Sequence, residues 1–275
     1  MITLAQYKKM LTEFAQQGHV SRSISSTREQ PAGGLFLKHD VECNIERAVE
    51  MAQIEADCGH VATFYFQADL LDTEAGKDAV RQIGKMGHEV AYHYDVLDEN
   101  DGDFAKSEEQ FDHYLSVFSA IGHNIRTVCP HGNPTKVRNG WRSNKDFFKN
   151  DTIRKKYPDI YDIVVDFDGR FPGGIYLSDA GYALRIIGDI GGNDASNASA
   201  MADGLPIEWS SLNSRLKENE SMILSLHPHR FVASRAAALT RKVVFKVLKQ
   251  AYRIAGKIPG VSKILNRYYS LARRV

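Results

Sequence analysis

The sequence predicts an α/β fold in which parallel strands alternate with helices. Short apolar runs bounded by glycine or charge alternate with segments whose apolar residues recur at helical spacing. Several of the apolar runs end in histidine or a carboxylate, as strands do when functional groups collect at their carboxyl ends. The same alternation builds a closed barrel or an open sheet, so both architectures are compatible with it.

Length and composition place the chain among ordinary globular proteins. A chain of 275 residues with 43% hydrophobic and 25% charged residues is long enough for one large α/β domain. The first ten residues include Lys8 and Lys9 and contain no long apolar region, and no run of eighteen apolar residues occurs in the chain. We therefore expect neither a signal peptide nor a membrane span. Three widely spaced cysteines suit a reducing compartment, and we expect a cytoplasmic protein.

The first half of the chain contains the most regular alternation. Helices are predicted over residues 3–17, 45–58, 75–86 and 103–121, where apolar residues recur at helical spacing. Asn44 can cap the second of these helices. Strands are predicted over residues 33–42, 61–66, 88–94 and 126–129, which are rich in β-branched and aromatic residues or bounded by glycine. The order from residue 33 onward is therefore strand, helix, strand, helix, strand, helix, strand.

The second half predicts further strands separated by loops. They are expected over residues 163–165, 174–177, 183–187 and 222–226, with a helix over 207–216. Glycine and asparagine are frequent over residues 191–197, which predicts a loop there.

Four predicted strands end in groups that can bind metal or transfer protons. The groups are His39-Asp40-Val41-Glu42, His93-Tyr94-Asp95, His131 and His227-Pro228-His229. If the strands are parallel neighbours, all four groups reach one face, where a mixed nitrogen and oxygen site suits zinc or a neighbouring divalent metal. The alternative is that each histidine only caps a strand by hydrogen bonding.

Three motifs resemble those of the polysaccharide deacetylase superfamily. They are Leu37-Lys38-His39-Asp40-Val41-Glu42, Gly87-His88-Glu89-Val90-Ala91-Tyr92-His93-Tyr94 and Leu226-His227-Pro228. The resemblance runs from about Leu35 to Phe231 and is strongest to divergent deacetylase-like proteins of bacterial O-antigen and other surface-polysaccharide genes. It implies a distorted (β/α) barrel of about seven strands. It also implies metal-dependent hydrolysis of an acetyl group on a sugar.

The resemblance also implies roles for individual residues. Asp40 becomes the general base or a metal ligand, Glu42 a ligand, and His93 the first metal histidine. Leu97 stands where the family has its second metal histidine, and His131, in the segment of the third motif, can take that place. The implied cofactor is a divalent metal ion, zinc in the first instance.

The late-strand histidine of the family protonates the leaving group, and His227 corresponds to it. Asp166 and the nearby Asp168 are candidates for holding His227 or contacting sugar, and His39 is a candidate for orienting Asp40 or for a further ligand. The predicted substrate-binding residues are His39, Asp95, Asn133, Asp166 and His229.

The carboxyl-terminal residues differ from the rest in charge. Residues 232–275 carry eleven lysines or arginines and no acidic residue, which leaves a net charge of about −10 on residues 1–231. Two amphipathic helices, over residues 239–257 and 261–271, are predicted there. We therefore expect a barrel domain over residues 1–231 and a basic tail over residues 232–275. The tail packs on the barrel or binds an anionic membrane surface, and nucleic acid is not an expected partner.

Three functions compete at this stage. The first is a metal-dependent deacetylase acting on an N-acetylated sugar of a bacterial surface polysaccharide or its precursor. The second is a catalytically degenerate barrel that binds glycan, consistent with Leu97 in place of a ligand. The third is a different metallohydrolase, such as a phosphoesterase, that uses the same histidines and carboxylates.

Overall fold

The structure is a computed structural model that describes residues 2–30, 33–133, 136–171, 173–179, 183–187, 206–218 and 221–232. The predicted C-terminal helices lie outside these residues, as does the loop over 191–197. Among the described residues, no helix has the length and apolar character needed to cross a bilayer.

Eight strands within the described residues form one sheet. They are β1 (Gly34–Val41), β2 (Ala62–Gln67), β3 (Glu89–Tyr94), β4 (Thr127–Pro130), β5 (Tyr161–Asp162), β6 (Gly174–Ser178), β7 (Arg185–Ile186) and β8 (Ser221–Leu226). Their order is β5-β4-β3-β2-β1-β8-β6-β7, and every neighbouring pair is parallel except β6 with β7. The predicted α/β fold class is therefore confirmed, and β1 lies near the centre of the sheet between β2 and β8. No pairing joins β5 to β7 within the described residues.

Helices connect most of the strands. They are α1 (Leu4–Gln16), α2 (Ile45–Asp57), α3 (Glu74–Lys85), α4 (Val96–Glu99), α5 (Phe104–Ala120), α6 (Asp146–Lys149), α7 (Asp151–Lys156), α8 (Phe167–Arg170) and α9 (Leu212–Glu218). Asn44 caps α2 as predicted, since its side chain accepts a hydrogen bond from the Arg47 amide at 3.1 Å. Asn44 adopts a left-handed φ of 56°, which turns the chain sharply between β1 and α2.

Two predicted strands differ from the structure. The strand expected over 163–165 lies earlier, as β5, because the Asp162 carboxylate accepts hydrogen bonds from the amides of Val164 and Val165 at 2.8 and 2.9 Å. These two bonds close a turn and end the strand. The strand expected over 183–187 is shortened to β7, which pairs antiparallel with β6.

Side chains of β1 alternate between two buried layers. Leu35, Leu37 and Val41 pack in a helix-side layer, together with apolar residues of α1, α2, α3 and α5. Phe36 faces the other side of the sheet, in an inner layer with aromatic residues of neighbouring strands such as Tyr65. Because side chains alternate along a strand, Lys38 and Asp40 share the inner face with Phe36, whereas His39 belongs to the helix side.

Candidate metal centre

The central strand β1 delivers Asp40 and then Glu42 to the carboxyl edge of the sheet. Lys38 precedes Asp40 by two residues on the same face, and both are buried. β2 and β8 pair with β1 over most of its length, so the backbone that carries these side chains is held on both sides. The strand thus presents one cation and two carboxylates in a row.

His39 points away from this row. Its Nε2 lies 2.6 Å from Oε1 of Glu55 in α2, and its ring stacks on Phe64 with centroids 4.5 Å apart. Glu55 also accepts a hydrogen bond from the Tyr7 hydroxyl at 2.5 Å. His39 is fully buried in the helix-side layer. The prediction that His39 contacts substrate, orients Asp40 or binds metal is therefore wrong, because alternation along β1 turns it to the opposite face.

Glu42, His93 and His131 come together at the ends of β1, β3 and β4. Each offers one ligand atom, and these atoms all lie within 4.8 Å of one another. Glu42 Oε1 is 3.5 Å from His131 Nε2, and the two imidazole rings have centroids 5.2 Å apart. Two imidazoles and a carboxylate are a donor set suited to zinc and neighbouring divalent metals.

The protonation states of this group fit a cation. His93 Nδ1 donates to the Cys129 carbonyl oxygen at 3.0 Å, which leaves the lone pair of Nε2 for the site. Burial, together with the nearby His131 and Lys38, lowers the pKa of His93 to about 4, so its imidazole is neutral at physiological pH. Burial alone would raise the pKa of Glu42, but the surrounding histidines, His131 first, lower it to about 2. An ionised carboxylate beside neutral imidazole is what a metal ion requires.

His131 is oriented by groups on two neighbouring strands. Its Nδ1 lies 3.1 Å from Gln67 Nε2 and 3.4 Å from Asp95 Oδ2, and Gln67 Nε2 also donates to Asp95 Oδ2 at 3.2 Å. With Nδ1 engaged, Nε2 faces Glu42. Asp95, predicted to bind substrate, is thus placed against the ring of a candidate ligand.

Leu97 takes no part in the centre. Its side chain is fully buried in the helix-side layer, one residue along α4 from its start. The third candidate ligand therefore comes from the end of β4, as the sequence predicts for His131, and not from α4.

A second group of possible ligands, formed by Asp40, His93 and Cys129, lies beside the first. Here the Lys38 ammonium already pairs with Asp40 Oδ1, and it donates to Ser225 Oγ at 3.2 Å. Burial raises the pKa of the Cys129 thiol well above its ordinary value, so the thiol stays protonated and is a poor ligand. The group of Glu42, His93 and His131 is thus the better cation site.

Asp40 is an ionised carboxylate next to that site. Burial would raise its pKa, but Lys38, His93 and His227 together hold the pKa well below the usual range. Oδ1 is bound by Lys38, whereas Oδ2 lies 3.9 Å from His227 Nε2. Sequence reasoning missed Lys38, although its position two residues before Asp40 on a strand was a usable signal.

His227, at the end of β8, is held by Asp179, which follows the last residue of β6. His227 Nδ1 lies 2.6 Å from Asp179 Oδ1, and the His227 amide donates to Asp179 Oδ2 at 3.2 Å. Arg230 donates to the same carboxylate at 3.2 Å and to the Asp179 carbonyl at 2.7 Å. His227 Nε2 then faces Asp40 and, at 3.8 Å, Glu42 Oε1.

Asp166 does not fill this role. Its carboxylate pairs with Arg154 and accepts a hydrogen bond from the Asp162 amide at 3.0 Å, in the turn after β5. The prediction that Asp166 holds His227 is wrong, since neighbouring β6 supplies the partner. The strand-end pattern that located the histidines would also have found Asp179.

The two remaining predicted residues lie on the loops around the centre. His229 is buried in the turn Pro228–Arg230, with its ring centroid 5.7 Å from that of His227. Burial, reinforced by His227 and Arg230, lowers the pKa of His229 to about 3. Asn133 follows His131 by two residues, and its carbonyl accepts a hydrogen bond from Arg138 at 3.0 Å.

Comparison of the sequence with family models and with curated proteins finds no match. Comparison with solved structures finds a CE4 esterase from Streptococcus mutans, with 14% identity over 77% of this chain and 81% of that chain, at a TM-score of 0.45. It also finds the catalytic domain of a peptidoglycan N-acetylglucosamine deacetylase from Eubacterium rectale, with 11% identity, coverages of 78% and 84%, and a TM-score of 0.42.

A third solved structure is a CE4 family pseudoenzyme from Bacillus anthracis. It shares 14% identity with 78% of this chain at a TM-score of 0.38, and this chain spans 60% of its length.

Proposed function

We propose that this chain is a metal-dependent hydrolase that removes the acetyl group from an N-acetylated sugar. The observation that carries the proposal is the arrangement around Glu42, His93 and His131, where Asp40 and His227 converge from adjacent strands with 3.9 Å between Oδ2 and Nε2. A cation site flanked by an ionised carboxylate and a positioned imidazole contains the groups that amide hydrolysis needs.

Glu42, His93 and His131 would hold the metal ion, which we propose to be zinc. When bound, a divalent ion supplies Lewis acidity that polarises the acetyl carbonyl and makes water a stronger acid. The protein supplies the neutral imidazole of His93 and the ionised carboxylate of Glu42 at physiological pH, together with the imidazole of His131.

Asp40 acts as the general base. Lys38 fixes one carboxylate oxygen, and the other faces the same space as His227 Nε2. Asp40 accepts a proton from the attacking water while the water oxygen bonds to the carbonyl carbon. Because its pKa is lowered, this carboxylate is ionised before every turnover.

His227 acts as the general acid. Asp179 holds a hydrogen on Nδ1 and aims Nε2 into the site, as the carboxylate of a catalytic triad does for its histidine. When the C–N bond breaks, the imidazolium form of His227 donates its Nε2 proton to the departing nitrogen, which leaves as the amine, and the proton that Asp40 took from the water then restores the imidazolium. The products are acetate and the free amino sugar.

The motifs also suggest a biological setting. Their resemblance to deacetylase-like proteins of bacterial surface-polysaccharide genes leads us to propose a substrate in O-antigen biosynthesis, either a polysaccharide or its precursor. We propose that the enzyme acts in the cytoplasm.

Acetate release tests the activity. Full-length protein loaded with Zn²⁺ should release acetate from N-acetylglucosamine oligosaccharides, and both chelation and Asp40→Asn should abolish release. Phosphate release from a phosphoester in place of acetate would identify a phosphoesterase. A protein that retains no metal, releases no acetate and binds the oligosaccharide in calorimetry would identify a degenerate glycan-binding barrel.

We further propose that the basic residues 232–275 form a tail after a barrel domain of residues 1–231 and attach the protein to an anionic membrane surface. Eleven basic residues without acidic neighbours favour anionic lipid. Vesicles containing phosphatidylglycerol should sediment the full chain but not its variant Lys246→Gln, Lys249→Gln, Arg253→Gln. The control replaces the exposed Lys8, Lys9 and Lys85 by Gln. Equal sedimentation of both variants would contradict the proposal.

A further inference from the structure

The candidate ligand His131 lies just beyond β4, where the sheet no longer holds the chain on both sides. Its amide donates to the Tyr94 carbonyl at 2.7 Å, which extends the pairing of β3 with β4 by one residue. Its carbonyl oxygen accepts a hydrogen bond from Asn144 Nδ2 at 2.9 Å. The position of the His131 backbone therefore depends on where the Asn144 amide group is held.

Asp98 holds that amide group. Asn144 Nδ2 donates to Asp98 Oδ2 at 3.0 Å, and the Asp98 backbone amide donates to Asn144 Oδ1 at 3.0 Å. This ring of two hydrogen bonds fixes both ends of the Asn144 amide, and Asn144 is fully buried. A chain of contacts thus runs from Asp98 through Asn144 to the carbonyl of His131.

The Asp98 carboxylate is itself fixed by two further side chains. Arg138 binds both oxygens, with Nε at 2.7 Å and Nη2 at 2.6 Å, and Trp141 Nε1 donates at 2.8 Å. The Asp98 and Arg138 side chains are only 5% and 9% exposed, so their charges are paired away from water. Bidentate pairing leaves the carboxylate little freedom to move.

The donors to Asp98 all come from the segment that follows His131. Arg138, Trp141 and Asn144 lie within fourteen residues of it in the chain, and Trp141 packs so closely on Gly102 that a Cβ there would lie 2.4 Å from Trp141 Cε3. Asp98 therefore fastens this segment to α4 and to the turn after it.

A residue at the start of α4 also lies against the imidazole ring of His131. Asp95, immediately before α4, lies 3.4 Å from His131 Nδ1. Between the two aspartates, Leu97 is buried in the core. The α4 segment thus places one carboxylate against the ring and the other, through Asn144, against the backbone of His131.

We propose that Asp98 is a positioning residue for the metal ligand His131, acting through Asn144. This proposal rests on the metal site proposed above. In this chain α4 supplies no metal ligand of its own, and it serves the centre by fixing the ligand that β4 delivers. The contribution of Asp98 is geometric, since its carboxylate binds Arg138, Trp141 and Asn144 and none of the three candidate ligands.

Metal affinity of the full chain tests the proposal. Loss of a group that orients a metal ligand typically weakens binding by about 10- to 100-fold. We expect the dissociation constant for Zn²⁺, measured by chelator competition, to rise about 10-fold or more in Asp98→Asn. Asn144→Ala should reproduce this rise, because it breaks the contact to His131 and leaves the pairing of Asp98 with Arg138 in place. If Asp98→Asn does not fold, the Zn²⁺ dissociation constant of Asn144→Ala tests the proposal instead.

The matched control is Asp166→Asn, which removes a carboxylate paired with Arg154 outside the site. It should lower the melting temperature without changing the Zn²⁺ dissociation constant by more than about twofold, within the roughly 0.5 kcal/mol expected of independent sites. If Asp98→Asn and Asn144→Ala behave like this control, Asp98 is only a structural residue and the proposal is wrong.

A second measurement needs no metal. The ring resonances of His131 in apo-protein, assigned by their loss in His131→Gln, should shift in both Asp98→Asn and Asn144→Ala and stay in place in Asp166→Asn. Unshifted His131 resonances in Asn144→Ala would overturn the positioning role. If wild-type protein binds no Zn²⁺ while the resonances shift as expected, the proposed function fails and the positioning role of Asp98 stands.

Discussion

His227 Nδ1 lies 2.6 Å from Asp179 Oδ1, and this contact joins the ends of two neighbouring strands, β8 and β6. Both side chains are about one-tenth exposed or less, and Arg230 closes the other side of Asp179. The imidazole can therefore turn neither Nδ1 away from the carboxylate nor Nε2 away from Asp40.

Asp179→Asn should lower kcat for acetate release by roughly a thousandfold, because the amide no longer fixes the tautomer of His227. Bound metal should be unchanged, since neither residue is one of the three candidate ligands. Activity assays with metal analysis check this, and the exposed Asp159→Asn is the control. If kcat stays within a few-fold of wild type, His227 is not the general acid.

Lys38→Met should destabilise the fold by about 3–5 kcal/mol, because it leaves the buried Asp40 without its counter-charge. The double variant Lys38→Met, Asp40→Asn should recover part of this loss, since no uncompensated charge remains. Urea denaturation of the wild type, both single variants and the double variant measures the coupling. Additive losses would show that the ion pair contributes no interaction energy.

Asp40→Asn should abolish turnover while metal content and fold are retained, because Lys38 can still donate to an amide oxygen in the place of Oδ1. His93→Ala should instead lower the metal occupancy of protein purified without chelator, since it removes a ligand atom. Elemental analysis beside circular dichroism separates the two effects, with the exposed His113→Ala as the control. Unchanged metal and activity in both variants would refute the site assignment.

Leu97→His should not restore a further ligand. Leu97 is fully buried among apolar side chains, so an imidazole there loses packing and leaves polar nitrogens unpaired, at a cost of roughly 2–4 kcal/mol. We expect a lower melting temperature and no gain in Zn²⁺ affinity. Tighter Zn²⁺ binding by this variant would mean that α4 can still face the metal centre.

Asp162 should give the fold a distinct pH dependence. Burial raises the pKa of Asp162 to about 6, although Tyr94 and two backbone amides donate to its carboxylate. Between about pH 4, where an unfolded aspartate titrates, and pH 6, the folded protein holds a proton that the unfolded chain releases. The contribution of Asp162 is therefore most favourable below about pH 4 and declines as pH rises to 6, by on the order of 2 kcal/mol.

Asp162→Asn isolates this contribution from those of other carboxylates. The free energy of unfolding of wild type minus that of the variant should be larger at pH 4.5 than at pH 7.5. Urea denaturation at both values measures it, and a difference independent of pH would contradict the raised pKa.

Much of the candidate site follows from one rule of parallel sheets. Because parallel strands end at one edge, the sequence alone brings Glu42, His93, His131 and His227 to a single face. Strict alternation of side chains along β1 would also have predicted that His39 faces the opposite side of the sheet and that Lys38 lies beside Asp40.

The side chains that contact these residues could not be predicted from the sequence in the same way. Asp179 meets His227 because β6 lies next to β8, and Asp40 meets His227 because β8 lies next to β1. The order β1-β8-β6 departs from the order of the chain, and sequence carries little information about it. The early end of β5 likewise depends on the Asp162 turn, a local hydrogen-bonding choice that strand propensity does not capture.

Because β8 pairs with β1, the candidate site combines residues that are synthesised early with one that is synthesised late. Glu42, His93 and His131 all lie within the first 131 residues and on strands that follow one another in the sheet, β1 to β4. During translation, these three candidate ligands are synthesised before β8, which pairs with one edge of β1. His227 joins almost one hundred residues later, when β8 covers that edge. A nascent chain therefore contains the three candidate metal ligands well before it contains the proposed general acid.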